Sequence, residues 1–204
     1  MDSFSMPNDP AAAADTVAAL MQARQTILPK RLTEPGPSAA ELAQIVSAAA
    51  HAPDHGQLLP WRLVCIPAAQ RPALAEVFAA ALLERNAAAT PEQVAQARDK
   101  AYRSPELLLL VVDGACGDVE IDLHERLISA GCAVQNLLLT ATALGYGSAL
   151  TSGKALKSTA LRVLFGLSAG QYAVCFISLG SIGSCKKPRQ RPVLADYFRT
   201  LGEP

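Results

Sequence analysis

The distribution of apolar positions separates the chain into strand-like and helix-like segments. Leu107 to Asp113 is a nearly continuous apolar run, the pattern of a strand covered on both faces. Trp61–Ile66 and Gln171–Ile182 also read as strands, and Gly147–Thr151 as a short one. The intervening stretches carry helix signals. Asp9-Pro10 supplies an N-cap and a first-position proline for a helix reaching about Thr26. Ser38-x-x-Glu41 is a capping box opening a helix through about Ala50, and Pro53 ends it near His51 by disfavouring helix at Ala52. Further helices are expected over Gln70–Asn86, over Pro91–Tyr102 with Thr90 and Gln93 as capping pair, and over Thr159–Phe165. The longest is expected over Val119–Leu144, with Gly145 as its stop. The turn around Pro29, Pro35 and Pro37 interrupts the chain after the first helix. Residues 1–9 read as a flexible N-terminus. No repeat, low-complexity tract or linker divides the rest, so residues 1–204 are expected to form one domain.

Composition narrows the class. A chain of 204 residues, half of them hydrophobic, can bury a substantial core. Lys and Arg total 18, equal to Asp and Glu, so bulk charge gives no argument for nucleic acid or an anionic membrane. The five cysteines, at 65, 116, 132, 175 and 185, are odd in number and form no C-x-x-C, which fits a reduced, cytoplasmic setting. The first basic residue is Arg24, so the charged start of a signal peptide is missing. The most apolar segment, Leu127–Leu144, carries Ser129, Gln135, Asn136, Thr140 and Thr142, and reads as a buried helix rather than a membrane span.

Three local motifs suggest chemistry and then fail on context. Gly166-Leu-Ser-Ala-Gly170 matches G-x-S-x-G, but a helix precedes it and a strand follows, the reverse of a nucleophile elbow, and no histidine lies downstream. Gly145-x-Gly147 follows a helix, and Leu150 stands where a dinucleotide fingerprint needs its third glycine. His51 and His55 have zinc-helix spacing, but Pro53 interrupts the helix between them.

Three separated segments do carry a joint signal. Arg24-Gln-Thr26 ends the first long helix. Ala52-Pro-Asp-His-Gly-Gln-Leu-Leu-Pro-Trp61 is a helix-terminating loop running into Pro-Trp and a strand. Ser129-Ala-Gly-Cys-Ala-Val-Gln-Asn136 continues to Leu144-Gly-Tyr-Gly147 and Thr151-Ser-Gly153. In this order and spacing they resemble the flavin-dependent nitroreductases, most of all the small bacterial NAD(P)H nitroreductases without a large inserted lid. The resemblance covers roughly Met21 to Phe198. It implies an α+β fold, with a mixed central sheet wrapped by helices, working as an intertwined homodimer with one FMN per subunit lined by both chains. That would explain why the long helix is hydrophobic nearly all round.

The resemblance also implies site residues. Arg24, Gln25 and Thr26 correspond to the phosphate end of FMN, with Gln25 in place of a second arginine. Lys187 and Arg189, in the basic stretch Lys186–Arg191, correspond to further phosphate contacts. His51 and His55 correspond to cofactor-contacting positions. Leu150, Thr151 and Ser152 correspond to a flavin-lining segment in which relatives often carry tryptophan and arginine. Thr140, Ala141, Thr142, Ala143, Leu144 and Gly145 correspond to a nicotinamide-binding segment. Plainer readings stand beside these: Arg24 as a cationic helix end, Lys186–Arg191 as a solvated tail, and Thr140–Gly145 as a buried helix end. Trp61 reads as core.

No side chain stands out as a dedicated acid or nucleophile, and the implied chemistry asks for none, since FMN carries the electrons. The expected function is ping-pong transfer of hydride from NADH or NADPH to a nitroaromatic or quinone-like acceptor. Two alternatives keep the fold: a flavin-sequestering protein without turnover, and an enzyme of different reaction, such as dehalogenation, ene reduction or flavin breakdown.

Overall fold

In a computed structural model of the chain we describe residues 9–185 and 190–202. Helices α1 (Pro10–Ala23), α2 (Ala39–Ser47), α3 (Arg71–Arg85), α4 (Pro91–Asp99), α5 (Leu123–Ala143) and α6 (Thr159–Leu164) surround five strands: β1 (Leu32–Thr33), β2 (Trp61–Cys65), β3 (Glu106–Asp113), β4 (Gly147–Thr151) and β5 (Gln171–Ile182). The class is the expected α+β. The long β5 organises the sheet, with β3 and then β2 on one side, β4 on the other, and β1 paired to its last residues. All ladders between these strands are antiparallel, and the mixed character is confined to one parallel bridge, Thr26 to Ser148.

Alternation along β3 explains its apolar run. Leu108, Leu110 and Val112 point into a cluster with Ile45, Leu137, Leu138, Ala141 and Ile177, under α2 and α5. Leu107, Leu109 and Val111 point the other way, to Ile66, Leu74, Val77, Leu161 and Phe176 under α3 and α6. Each such side chain, fully buried, contributes about 1.5–3 kcal/mol. With both faces covered, no polar position is tolerated between Leu107 and Val112.

Local chemistry sets where the helices begin and end. The Asp9 carboxylate accepts from Ala11 N, and Pro10 takes the first position of α1. This helix is three residues shorter than expected. Arg24 turns extended (ψ 119°) and Thr26 leaves to bridge Ser148, while Ile27 N donates to the Ser148 carbonyl at 2.9 Å. The capping boxes at Ser38/Glu41 and Thr90/Gln93 form as expected. The end of α2 tightens into a 3-10 turn, Ala48–His51. At the end of α5, Gly145 adopts φ +84°, and Gly145 N and Tyr146 N donate back to Thr142 and Ala141. A side chain with a Cβ would strain that left-handed stop. The strand β1 was not expected. Two residues carry no periodicity, and only pairing with Ser181 and Ile182 defines it.

The long helix starts at Leu123, four residues later than Val119, because Asp122 caps it. Its Oδ1 accepts from His124 N (2.6 Å) and Glu125 N (3.1 Å). These backbone donors also hold the Asp122 carboxyl below its ordinary pKa. Asp122→Ala is expected to lower the thermal midpoint by about 2–4 °C, with Asp122→Asn losing less. A depressed folded pKa contributes stability above the unfolded value of about 3.9, which is lost as pH falls through the folded one. The Asp-over-Asn advantage should therefore be full near neutrality and vanish in acid, as thermal melts across pH will show.

Among the described residues, no helix is long and apolar enough to cross a membrane.

Candidate functional site

The bridge between Thr26 and Ser148 lays the segment after α1 along the free edge of β4, beside the middle of α5. Arg24, Thr26, Gln135, Leu138, Ser148, Ala149 and Leu150 there enclose a cavity of about 260 Å³. Arg24 brings positive charge, and Thr26, Gln135 and Ser148 bring neutral donors. Successive residues of an extended segment point to opposite sides. Gln25 accordingly lies half-buried and lines neither this cavity nor the one described next. The lost charge at position 25 is thus no loss to the cavity.

Strand alternation also divides the expected Leu150–Thr151–Ser152 segment. Leu150 pairs with Ile177 and shares the α5 side of β4 with Ser148, which pairs with Leu179. Thr151 pairs with Phe176, on the α3 side. Thr151 and Ser152 therefore enter a second cavity, of about 400 Å³. Its apolar wall includes Phe78 and Phe176, stacked edge to face with centroids 5.5 Å apart. Arg85, Lys100 and Lys154 contribute its charge. Consecutive residues, Leu150 and Thr151, line one cavity each, on opposite faces of one strand end.

Other expected residues fall elsewhere. His55 Nδ1 lies 2.6 Å from Glu125 Oε2, in the first turn of α5, and His51 is exposed at the end of the 3-10 turn after α2. From Glu125 to Gln135 is about 15 Å along α5. His55 is therefore held away from the Arg24 cavity within one chain, and neither histidine lines it. Thr140–Gly145 forms the helix end: the hydroxyls of Thr140 and Thr142 donate to Asn136 and Leu138 carbonyls, and Ala141 is buried in the core. Ala143 and Gly145 are exposed, and Leu144 packs on the core as the helix cap. Both hydroxyl protons of this segment are thus engaged within the helix. Lys187 and Arg189 lie outside the described residues. Their neighbour Arg191 returns to the site, donating from Nη2 to the Arg24 carbonyl at 2.9 Å. Trp61 is anchored as expected, with Nε1 donating to Ser129 Oγ at 3.0 Å and its ring against the core.

Sequence reasoning missed Ser148, Gln135, Arg85, Lys100 and Lys154. Gln135, inside the segment Ser129–Asn136, and Lys154, two residues beyond Ser152, had a local signal. The others come from different elements, and folding alone assembles them. The described residues lining both cavities include no histidine, cysteine or carboxylate. The most buried thiol, Cys175, is pushed up to about 11 by desolvation and stays protonated at neutral pH. The arrangement is suited to holding an anionic, partly aromatic ligand, not to acid–base or nucleophilic work.

The chain is similar to known proteins in both sequence and fold. A Haemophilus influenzae protein named "Putative NAD(P)H nitroreductase" is 32% identical over 152 residues, 74% of this chain and 82% of that protein. Among solved structures, a nitroreductase-like family protein from Bacillus cereus superposes with TM-score 0.76 at 16% identity, covering 98% of this chain and 100% of its own. The NADPH:FMN oxidoreductase from Vibrio harveyi, complexed with NAD+, gives 0.71 at 15%, covering 92% of this chain and 77% of its own. These two show a shared fold. The model of the nitroreductase family matches residues 21–181, a span that begins just before Arg24 and closes in β5, so it contains both cavities and every strand between them, and the chain belongs to the nitroreductase family.

Proposed function

We propose that the protein is an NAD(P)H-dependent FMN oxidoreductase that reduces small nitroaromatic or quinone-like acceptors and works as a homodimer. The observation that supports it best is the pair of cavities around the end of β4. One offers Arg24 with hydroxyl and amide donors, suited to a phosphate, and the other offers an aromatic wall with cations, suited to a flat polar ring. FMN has both parts in one molecule. Bound there, it would take hydride from NADH or NADPH and release it to the acceptor.

The chain's own residues would bind and tune. Arg24 and Thr26 would hold the phosphate end. Lys100, Lys154 and Arg85 would favour negative charge on a ring lodged beside Thr151 and Ser152, easing its reduction. The wall of Phe78 and Phe176 would exclude water from one side of that ring. His51 and His55, which line neither cavity within one chain, would reach a cofactor held by a second chain.

Exposed apolar groups fit that pairing. No residue of α1 is buried, and Val17 and Met21 on it are exposed, as are Leu127 and Ile128 on α5. The C-terminal segment exposes Val193, Leu194, Tyr197, Phe198 and Leu201. A partner subunit would cover this surface.

The test begins with the purified protein mixed with FMN and then, without oxygen, with NADH or NADPH. Flavin uptake at micromolar concentration, bleaching by the nicotinamide and recolouring on later addition of a nitroaromatic are the expected results, with parallel double-reciprocal lines in steady state. Uptake without bleaching by either donor would leave a flavin-sequestering protein, and no uptake would end the flavin reading. Sedimentation of the loaded protein should show a dimer.

A further inference from the structure

Ser148 is 2% exposed, and among the described residues its Oγ is the buried side-chain polar atom with no hydrogen-bond partner. A buried hydroxyl is ordinarily paired, because leaving one dry and unpaired costs about 1–3 kcal/mol. The position could be filled at no such cost by alanine, as at the next residue, Ala149. The backbone at Ser148 is already in use: its carbonyl accepts from Ile27 N at 2.9 Å, and the residue pairs with Leu179 and bridges Thr26. Only the hydroxyl is left over. It faces the α5 side of the strand, where Ser148 lines the same cavity as Arg24, Thr26 and Gln135.

We infer that Ser148 is a ligand-binding residue whose hydroxyl completes the oxyanion site begun by Arg24 and Thr26, donating to the phosphate group of the bound cofactor. The inference rests on the FMN reading above and adds to it a residue that no sequence pattern picks out. The chemistry is consistent. A phosphate monoester dianion has more acceptor positions than one guanidinium can fill, and a rigid donor on a strand complements a long cationic side chain. A serine on a strand, locked by neighbours on both sides, keeps its hydroxyl in place without ordering entropy at the moment of binding. The apo protein carries an unpaired hydroxyl, and the ligand pairs it.

This role makes two opposite demands on Ser148→Ala, which a merely structural serine would not meet. In the apo protein the change removes an unpaired group, so the thermal midpoint should stay equal or rise by about 2–4 °C. Affinity for FMN should fall about 10–100-fold, the range for a hydrogen bond to a charged group. Affinity for riboflavin, which has no phosphate, should be unchanged within about twofold. The experiment is melting of the apo protein together with fluorescence titration of FMN and riboflavin, on wild type and on Ser148→Ala, with Ser148→Thr as a variant that keeps the hydroxyl. Unchanged FMN affinity in Ser148→Ala overturns the proposal while leaving the flavin reading intact. Equal losses for FMN and riboflavin overturn the phosphate assignment. A lower apo midpoint shows that the hydroxyl is already paired in the folded protein and overturns the argument at its base. If wild type takes up neither ligand, the flavin reading falls and the proposal with it, a result visible in the wild-type arm alone.

Discussion

Arg126→Ala is expected to destabilise the protein by about 2–4 kcal/mol, a large effect for a charge that looks exposed in the sequence. Arg126 is 1% exposed, in the first turns of α5. It faces backbone. Nε donates to the Ile121 carbonyl at 2.9 Å, Nη1 to Cys116 at 2.6 Å and Asp113 at 3.3 Å, and Nη2 to Asp118 at 2.7 Å. One planar fork thereby holds the loop from the end of β3 to the start of α5. Truncation leaves a cavity the size of the side chain and strips several carbonyls of their donor. Those nearer the surface recover by hydration, which is why the expected cost is not the full sum. Arg126→Lys keeps the charge but not the fork, and three donors on one atom cannot reach four spread carbonyls. Its loss should be intermediate. Urea unfolding will measure both, with the midpoint falling and the slope unchanged if the native state keeps its compactness. Amide exchange should quicken over 113–122 in each variant. A midpoint within error of wild type for Arg126→Ala would mean that the loop holds itself.

Arg24→Ala is expected to weaken FMN binding by about 1.5–3 kcal/mol, roughly 10–100-fold, and to leave riboflavin nearly indifferent. The side chain lines the cavity after α1, while its carbonyl accepts from Arg191. Substitution removes the guanidinium and spares that backbone contact, so the C-terminal segment keeps its anchor. Arg24→Lys should recover part of the affinity, since an ammonium supplies charge without bidentate geometry. Titration of both ligands, at fixed ionic strength, separates a phosphate contact from a folding effect. Equal losses for the two ligands would place Arg24 away from the phosphate. Gln25→Ala, its side chain outside both cavities, should change neither affinity by more than about twofold.

Some of this was readable in the chain. The capping boxes at Ser38 and Thr90, the Asp9-Pro10 start and the stop at Gly145 are local devices whose partners lie within a few residues. The two-faced strand β3 was legible because burial on both sides demands an unbroken apolar run. The family was legible because three short segments keep their order and spacing. Arg24, Thr26 and Leu150 were all picked out, and the fold does bring them to one cavity.

What escaped the sequence depends on contacts between distant segments. An arginine in a helix reads as a solvated charge, and only the loop folding over it makes Arg126 a buried tie. The helix start at Val119 was overestimated because Asp122 and the carbonyls that Arg126 gathers compete with helix there. Leu150 and Thr151 are neighbours in sequence, and pairing with β5 sends them to opposite faces. Thr140–Gly145 contains hydroxyls, but their helix consumes them. Local hydrogen bonds and apolar periodicity are written into short stretches of chain, so the helices and the longer strands followed from the sequence by itself, and the family from the resemblance of three segments. Which hydroxyl is left unpaired, and which cations share a cavity, follows only from how the strand edge, α5 and the segment after α1 close on one another. That is why Ser148, one serine among many in the chain, became visible only in the tertiary structure.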